Sequence, residues 1–382
     1  MLAATSPHLS VLDQLGDHLS VIWGAVVACA VVVLLTPAVG GMARRLGVVD
    51  APGGRRINQL PVPRLGGLAL FLGLLVPALA FLPGGHQNRG LLLGAAVAVT
   101  VGIVDDYRGL PWFGKLGGQI AAAGVLTGFG VWVDRFTFPF LGIHTLSSGV
   151  GIPLTIVWVV SIMNMVNFLD GLDGLAAGVA AIAGLTFSVI ALSLGKTDAA
   201  ILSAIVFGAC LGFLRHNFYP ARIFMGDSGA LLLGYVLAAV SVQGLLKTAA
   251  TVALFFPLLV LAVPIVDTTF VVVRRLKHGE RVFEADQAHL HHRFLRRGFS
   301  QRRAALTIWG WCITLAAAAF ATRFVPFRAH GVWHLWWTLL AAGIAFLAVL
   351  FSVYVVYVLE IVKLGNRIQR RRKPGDPLRK SA

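Results

Sequence analysis

The 382 residues are 57% hydrophobic and only 13% charged, with a mean hydropathy of +0.82 and a net charge of +16. That charged share is about half that of a soluble domain, which excludes a water-soluble globular protein and makes length a count of membrane spans. Cys29, Cys210 and Cys312 all lie in apolar runs, so neither a disulfide framework nor a cysteine metal site is expected.

Eleven apolar segments follow in chain order, at 19–41, 65–82, 91–104, 116–133, 151–166, 174–194, 199–214, 228–246, 249–273, 304–322 and 333–362. The first has no basic leader and exceeds the apolar core of a signal peptide, so it reads as a retained span. The third is short and is expected to extend into its flanks. The ninth holds Pro257 and Pro264, each removing a helix hydrogen bond, so a kink or break is expected there. The expected fold is all-α and polytopic, with about eleven transmembrane helices. One integral membrane domain covers 1–362 and a basic tail covers 363–382.

With the N-terminus outside, the loops 42–64, 105–115, 167–173, 215–227 and 274–303 and the tail all fall inside. They hold 26 of the 32 Lys and Arg, the bias that marks a cytoplasmic face. The net charge is thereby explained by topology, with the tail as an anchor on anionic lipid. No nucleic-acid partner is expected.

Polar chemistry concentrates on that same face. Asp105 and Asp106 lie in IVDDYRGLPWFGK over 103–115, closing the third span. A helix C-terminus disfavours carboxylates and adjacent carboxylates repel, so a purely structural pair is a poor account. A cation or a proton is the expected partner, with Lys115 and Arg108 available for phosphate oxygens. In NMVNFLDGLDGLAAG over 164–178, Asn164, Asn167, Asp170 and Asp173 recur at every third position. On a helix they would run ~13 Å, a useful length for tracking a nucleotide. Asp173 also fits a helix N-cap. In FMGDSGALLLG over 224–234, Asp227 suits either an N-cap or a metal ligand, and Phe224 suits either base stacking or interfacial burial. Finally, DQAHLHHRFLRR over 286–297 carries His289, His291, His292 and Arg293. These suit a diphosphate; zinc ligation and a basic amphipathic surface helix are the alternatives.

Together the DD pair, NxxNFxDGxDGL, FMGDSG and HLHHR resemble the polyprenyl-phosphate N-acetylhexosamine-1-phosphate transferase family, also called glycosyltransferase family 4. The fragment VDAPGGRRINQLPVPRLGG over 49–67 is similar to its first inside loop. HLHHR and PVPRLGG resemble the branch using UDP-N-acetylglucosamine more than the related branch using UDP-MurNAc-pentapeptide. Asn58 and Gln287 depart from the pattern, where histidine and a basic residue are usual.

The resemblance implies a membrane-embedded catalytic domain that joins the sugar-1-phosphate of a UDP-sugar to a polyprenyl phosphate and releases UMP. Mg²⁺ or Mn²⁺ is implied, with Asp227 as ligand and Asn167 as a second. Asp105 and Asp106 are implied to position or deprotonate the lipid phosphate. Phe224 would stack on uracil, with Leu172 and Asp173 reading its edge. Lys115, His291, His292 and Arg293 would hold phosphates. A bacterial cell membrane with a cytoplasmic active site is implied, and the sequence leaves a homo-oligomer open. A transporter or lipid flippase is the competing class, because such proteins also combine broken helices with membrane carboxylates.

Overall fold

A computed structural model describes residues 16, 18–50, 61–138, 142–245, 255–278, 290–326, 328–329 and 332–358. Each of the eleven apolar segments carries helix. In order these are α1 (Leu19–Arg45), α2 (Gly66–Phe81), α3 (His86–Arg108), α4 (Trp112–Gly128), α5 (Ser148–Leu169), α6 (Leu175–Ser193), α7 (Thr197–Asn217) and α8 (Gly226–Val240). A π turn (Ser241–Leu245) continues α8. The ninth segment is split into α9 (Phe255–Val260) and α10 (Ala262–His278). A short helix in the longest inside loop, α11 (Leu290–Arg296), precedes α12 (Gln301–Phe324) and α13 (Leu335–Val358). Three two-stranded antiparallel ribbons tie off loops: β1 (Val49–Asp50) with β2 (Val62–Pro63), β3 (Arg135–Phe138) with β4 (Gly142–Thr145), and β5 (Arg328–Ala329) with β6 (Val332–Trp333). Helices dominate because each satisfies its own backbone hydrogen bonds, as a bilayer requires.

Among the described residues, eight helices are long and apolar enough to cross a membrane. The chain is therefore an all-α polytopic membrane protein. α2 is apolar but shorter, with 16 residues, and α4 has 17. The third segment does extend into its flanks, so that Asp105 and Asp106 sit inside the last turn of α3. The break in the ninth segment falls at Leu261. Pro264 has no N–H to offer the carbonyl four residues earlier, Val260, which is where α9 stops.

The bundle is arranged around α8. Of its spanning window 89% is buried, against 11% for α13. α8 packs on α3 and α5, and also on α2, α4, α6 and α7. The close approach at its start requires glycine, because a Cβ on Gly102 of α3 would strike the backbone of Asp227 and Ser228. α1 lies against α2 and α7, α6 against α7 and α12, and α10 against α5. α13 packs on α12 at the periphery and turns Leu339, Phe346, Leu347 and Leu350 outward. Such an apolar surface would be an aggregation liability in water and is ordinary against lipid.

Candidate active site

Antiparallel order brings one end of α3, α4, α5 and α8 together. α3 finishes on Asp105 and Asp106, and the chain turns at Gly109 and Pro111 into α4. Asp105 Oδ1 accepts from the Leu110 amide at 2.7 Å, which pins that turn. The turn sets Lys115, in α4, beside the end of α3. Lys115 Nζ lies 2.9 Å from Asp105 Oδ2 and 2.8 Å from Asp227 Oδ2, in the first turn of α8. Asn167, one turn from the end of α5, completes the group. Its amide is oriented by its partners: the nitrogen donates to Asp227 Oδ1 at 2.7 Å, and the oxygen accepts from Lys115 Nζ at 2.9 Å. Three oxygens from α3, α5 and α8 thus converge on one cationic nitrogen.

Asp106 turns the other way. Its side chain is wholly buried and receives the start of α8. The Asp227 amide donates to Oδ1 at 2.9 Å; the Ser228 amide and hydroxyl donate to Oδ2 at 3.0 and 2.8 Å. The sequence reading set Asp106 at an unfavourable helix C-terminus. It is at once the end of α3 and the cap of α8, whose dipole and unpaired amides favour an anion. Its contacts make it a positioning group for Asp227. Gly226 makes this possible: its φ of +68° is left-handed, and a Cβ would strike the Asp106 carboxylate and the Arg64 carbonyl.

The remaining loops are knitted to this centre by backbone. Asp173 Oδ2 accepts from the Ala221 amide at 2.9 Å. Asn217 accepts from the Gly174 amide at 3.0 Å and donates to the Ile223 carbonyl at 2.9 Å. Phe224 pairs through its backbone with Pro63 and Gly66, and Leu172 is buried. Arg64, next to β2, lies 3.8 Å from Asp50 and 3.7 Å from Asp106. Arg64, Ser228 and Asn217 were not singled out as site residues from sequence. Arg64 had a signal, since it falls within PVPRLGG; Asn217 had none.

Several expectations are corrected. The four polar groups at 164–173 do not form one stripe, because α5 ends at Leu169 and Asp170 is its C-cap. Asn164 exchanges hydrogen bonds with Gln119 of α4 at 2.8 and 3.2 Å, so its amide ties two helices together. Asp173 is not the N-cap of α6; Gly174 is, without a side-chain bond. α11 holds His291, His292 and Arg293 but is fastened to α10 and α12, and the contacts described do not join it to Asp227. His289, Asn58, Gln287 and the tail lie outside the described residues.

The charges decide what the centre can take. Among the described residues, Asp105, Asp106 and Asp227 have Lys115 and Arg64 as cationic partners, and Asp170 is close enough to feel Asp227 and Asp106. Phosphates would be repelled unless more positive charge arrives. Asp170 is only partly accessible, and desolvation first, then Asp227 and Asp106, push its pKa well above the usual carboxylate range. The pKa of the Asp173 carboxyl is also raised, by desolvation that outweighs backbone hydrogen bonds from Ala221 and from its own amide.

A raised folded-state pKa means that the folded protein holds the proton more tightly than the unfolded chain. Stability is then full below the unfolded value, about 3.9, and is lost as pH rises through the folded value. Asp170→Asn is therefore expected to melt higher than the wild type at pH 8 in EDTA, the gap closing toward about pH 4. Equal melting curves at both pH values would mean that Asp170 is not desolvated.

The oxygen set suits a hard divalent cation. Mg²⁺ takes oxygen ligands, commonly one or two carboxylates completed by water and substrate phosphates. Asp105, Asp227 and Asn167 already hold an ammonium at one point. Among the described residues no group of three His, Cys, Asp or Glu is placed to hold a metal ion, so an ion here would rest on two carboxylates and the Asn167 amide.

A polytopic helical bundle with carboxylates, an amide and a lysine gathered at one end defines a membrane protein equipped to handle cations and anions at its surface. The chain belongs to glycosyl transferase family 4, whose model matches residues 88–245. It is 34% identical to the probable undecaprenyl-phosphate N-acetylglucosaminyl 1-phosphate transferase of Bacillus subtilis, over 88% of this chain and 91% of that protein. It is 37% identical to the decaprenyl-phosphate N-acetylglucosaminephosphotransferase of Mycobacterium leprae, over 80% and 84%. It is 35% identical to the phospho-N-acetylmuramoyl-pentapeptide-transferase of Desulforudis audaxviator, over 79% and 97%.

Proposed function

We propose that this chain transfers N-acetylglucosamine-1-phosphate from UDP-N-acetylglucosamine to a polyprenyl phosphate and releases UMP. The observation that carries the reading is the convergence of Asp105, Asp227 and Asn167 on Lys115 Nζ, at the ends of helices. Relatives named for this acceptor and sugar, similar over most of both chains, support it. A site at helix ends also disfavours the transporter reading, since transporter sites lie near the midplane. The excess of Lys and Arg on the same face supports a cytoplasmic active site in a bacterial cell membrane.

The reaction brings one phosphate anion against a diphosphate. An oxygen of the lipid phosphate attacks the phosphorus bearing the sugar; the bond to UMP breaks, and UMP leaves with the electron pair. A bound Mg²⁺ or Mn²⁺ supplies charge neutralisation between the two reactants. Asp227 and Asn167, with Asp105, would hold it. Lys115 would then be released from its carboxylates to pair with phosphate oxygens. Asp105 borders the acceptor phosphate, and Asp106 keeps Asp227 in place. Phe224, Leu172 and Asp173, on the two loops knitted together beside the centre, receive the uridine. His291, His292 and Arg293, with His289, bind the diphosphate.

Purified protein with Mg²⁺, UDP-N-acetylglucosamine and undecaprenyl phosphate is expected to release UMP and form a lipid diphosphate of matching mass. Parallel reactions with UDP-MurNAc-pentapeptide and other UDP-N-acetylhexosamines test the donor. Silence with every donor removes the proposal.

Lys115 gives a test that does not depend on turnover. Its side chain is 18% exposed and shared by two carboxylates. Breaking such a buried pair costs about 3 kcal/mol. Lys115→Met is expected to melt below the wild type in EDTA, and millimolar Mg²⁺ to recover more stability in the variant than in the wild type. Identical melting with and without Mg²⁺ in both proteins would argue against a shared cation point.

A further inference from the structure

Asp267 has no part in the chemistry above, yet it is a buried carboxylate on α10, 1% exposed. A buried ionisable group is costly unless it is paired and hydrogen-bonded, and has to be accounted for. Its Oδ1 accepts from the amide of Leu290 at 2.8 Å, 23 residues further along the chain. Leu290 opens α11, the helix that carries His291, His292 and Arg293. One turn after Asp267, on the same face of α10, Phe270 lies under the Arg293 guanidinium, whose Cζ is 4.1 Å from the ring centroid. Two neighbouring residues of α10 therefore hold α11 at its first residue and at its fourth.

A helix of seven residues has too few internal hydrogen bonds to persist by itself. α11 is ordered by what it packs on. Leu290 and Phe294, four residues apart, are 2% and 0% exposed, and Phe294 meets Phe299 edge-on with centroids 5.1 Å apart. Those apolar contacts give adhesion without register. The Asp267 bond is directional: it engages the amide of Leu290, the first described residue of α11, and so fixes where that end of the helix sits. α10 in turn packs on α5, the helix of Asn167.

We infer that Asp267 is a positioning residue that fixes the His291–His292–Arg293 helix, through α10, in register with the carboxylate centre. The inference rests on the transferase reading, in which α11 holds the donor diphosphate. It assigns a purpose to the broken ninth segment: α10 is the arm that sets the histidine helix.

The test compares Asp267→Ala, which removes the acceptor, with Asp267→Asn, which keeps an acceptor oxygen and loses the charge. The full chain is assayed in detergent for UMP release, with UDP-N-acetylglucosamine varied. Losing a hydrogen bond to a charged group corresponds to roughly 10- to 100-fold, so Asp267→Ala is expected to lose about 30-fold in kcat/KM with a raised KM for the donor. Asp267→Asn is expected to stay within about threefold of wild type, the amide oxygen retaining the bond. Limited trypsin digestion gives a second readout: faster cleavage at Arg296 or Arg297 in Asp267→Ala, and a wild-type rate in Asp267→Asn.

Wild-type kinetics in Asp267→Ala, or equal impairment of the two variants, overturns the inference. Should Asp267→Ala fail to fold, Asp267→Asn decides alone: near-normal kinetics support the inference, and a loss of tenfold or more overturns it. Should wild type release no UMP with any donor, the transferase reading falls, while the digestion still tests whether Asp267 holds α11.

Discussion

Asp227→Ala is expected to abolish detectable UMP release while leaving the chain folded. Among the described residues, Asp227 is the carboxylate that touches both Lys115, through Oδ2 at 2.8 Å, and Asn167, through Oδ1 at 2.7 Å. Removing one preorganised electrostatic partner commonly costs 10²–10³ in rate, about 3–4 kcal/mol, and a metal ligand belongs at the upper end. The structural cost is smaller, because Lys115 keeps Asp105 at 2.9 Å and the α8 amides keep Asp106. The measurement pairs UMP release with gel filtration and a melting curve. Mn²⁺ binding followed by electron paramagnetic resonance separates metal loss from other failures, and about a tenfold weaker affinity is expected. Full turnover in a folded Asp227→Ala protein would take this residue out of the reaction.

Asp106→Ala is expected to be inactive for a different reason. It strips the acceptor from two backbone amides and one hydroxyl at the head of α8. Each buried group left without a partner costs about 1–3 kcal/mol, so a loss near 4 kcal/mol is expected, a large part of a net stability of roughly 5–15 kcal/mol. The melting temperature should fall well below that of Asp227→Ala. Asp106→Asn keeps one acceptor oxygen and should recover part of both stability and turnover. Were Asp106 a group that reacts with substrate, Asp106→Asn would instead be stable and dead, like Asp227→Asn. The order of the four melting curves therefore separates positioning from chemistry.

Some of the site was legible before any coordinates because its chemistry is punctuated by type. Carboxylates adjoining apolar runs are conspicuous, so Asp105, Asp106, Asp170, Asp173 and Asp227 stood out, and the proline pair marked the break at Leu261. Their division of labour was not legible. Asp105 and Asp106 are neighbours in sequence and of one type, yet one faces Lys115 and the other the amides of α8. Asn164 and Asn167 share a motif, yet Gln119 claims the first and Asp227 the second. Asp267 is not legible as a site residue in the sequence, because its partner amide, Leu290, is 23 residues away in the chain.

The sequence by itself determined that this is a polytopic helical membrane protein with its polar chemistry in alternate loops. Hydropathy and charge are sums over local residues, and a bilayer acts on them directly. Only the tertiary structure decided which oxygens share a cation and which carboxylate caps a helix. A hydrogen bond depends on orientation within a few tenths of an ångström across residues more than a hundred apart, such as Asp106 and Ser228. That information exists only once α3 and α8 have packed.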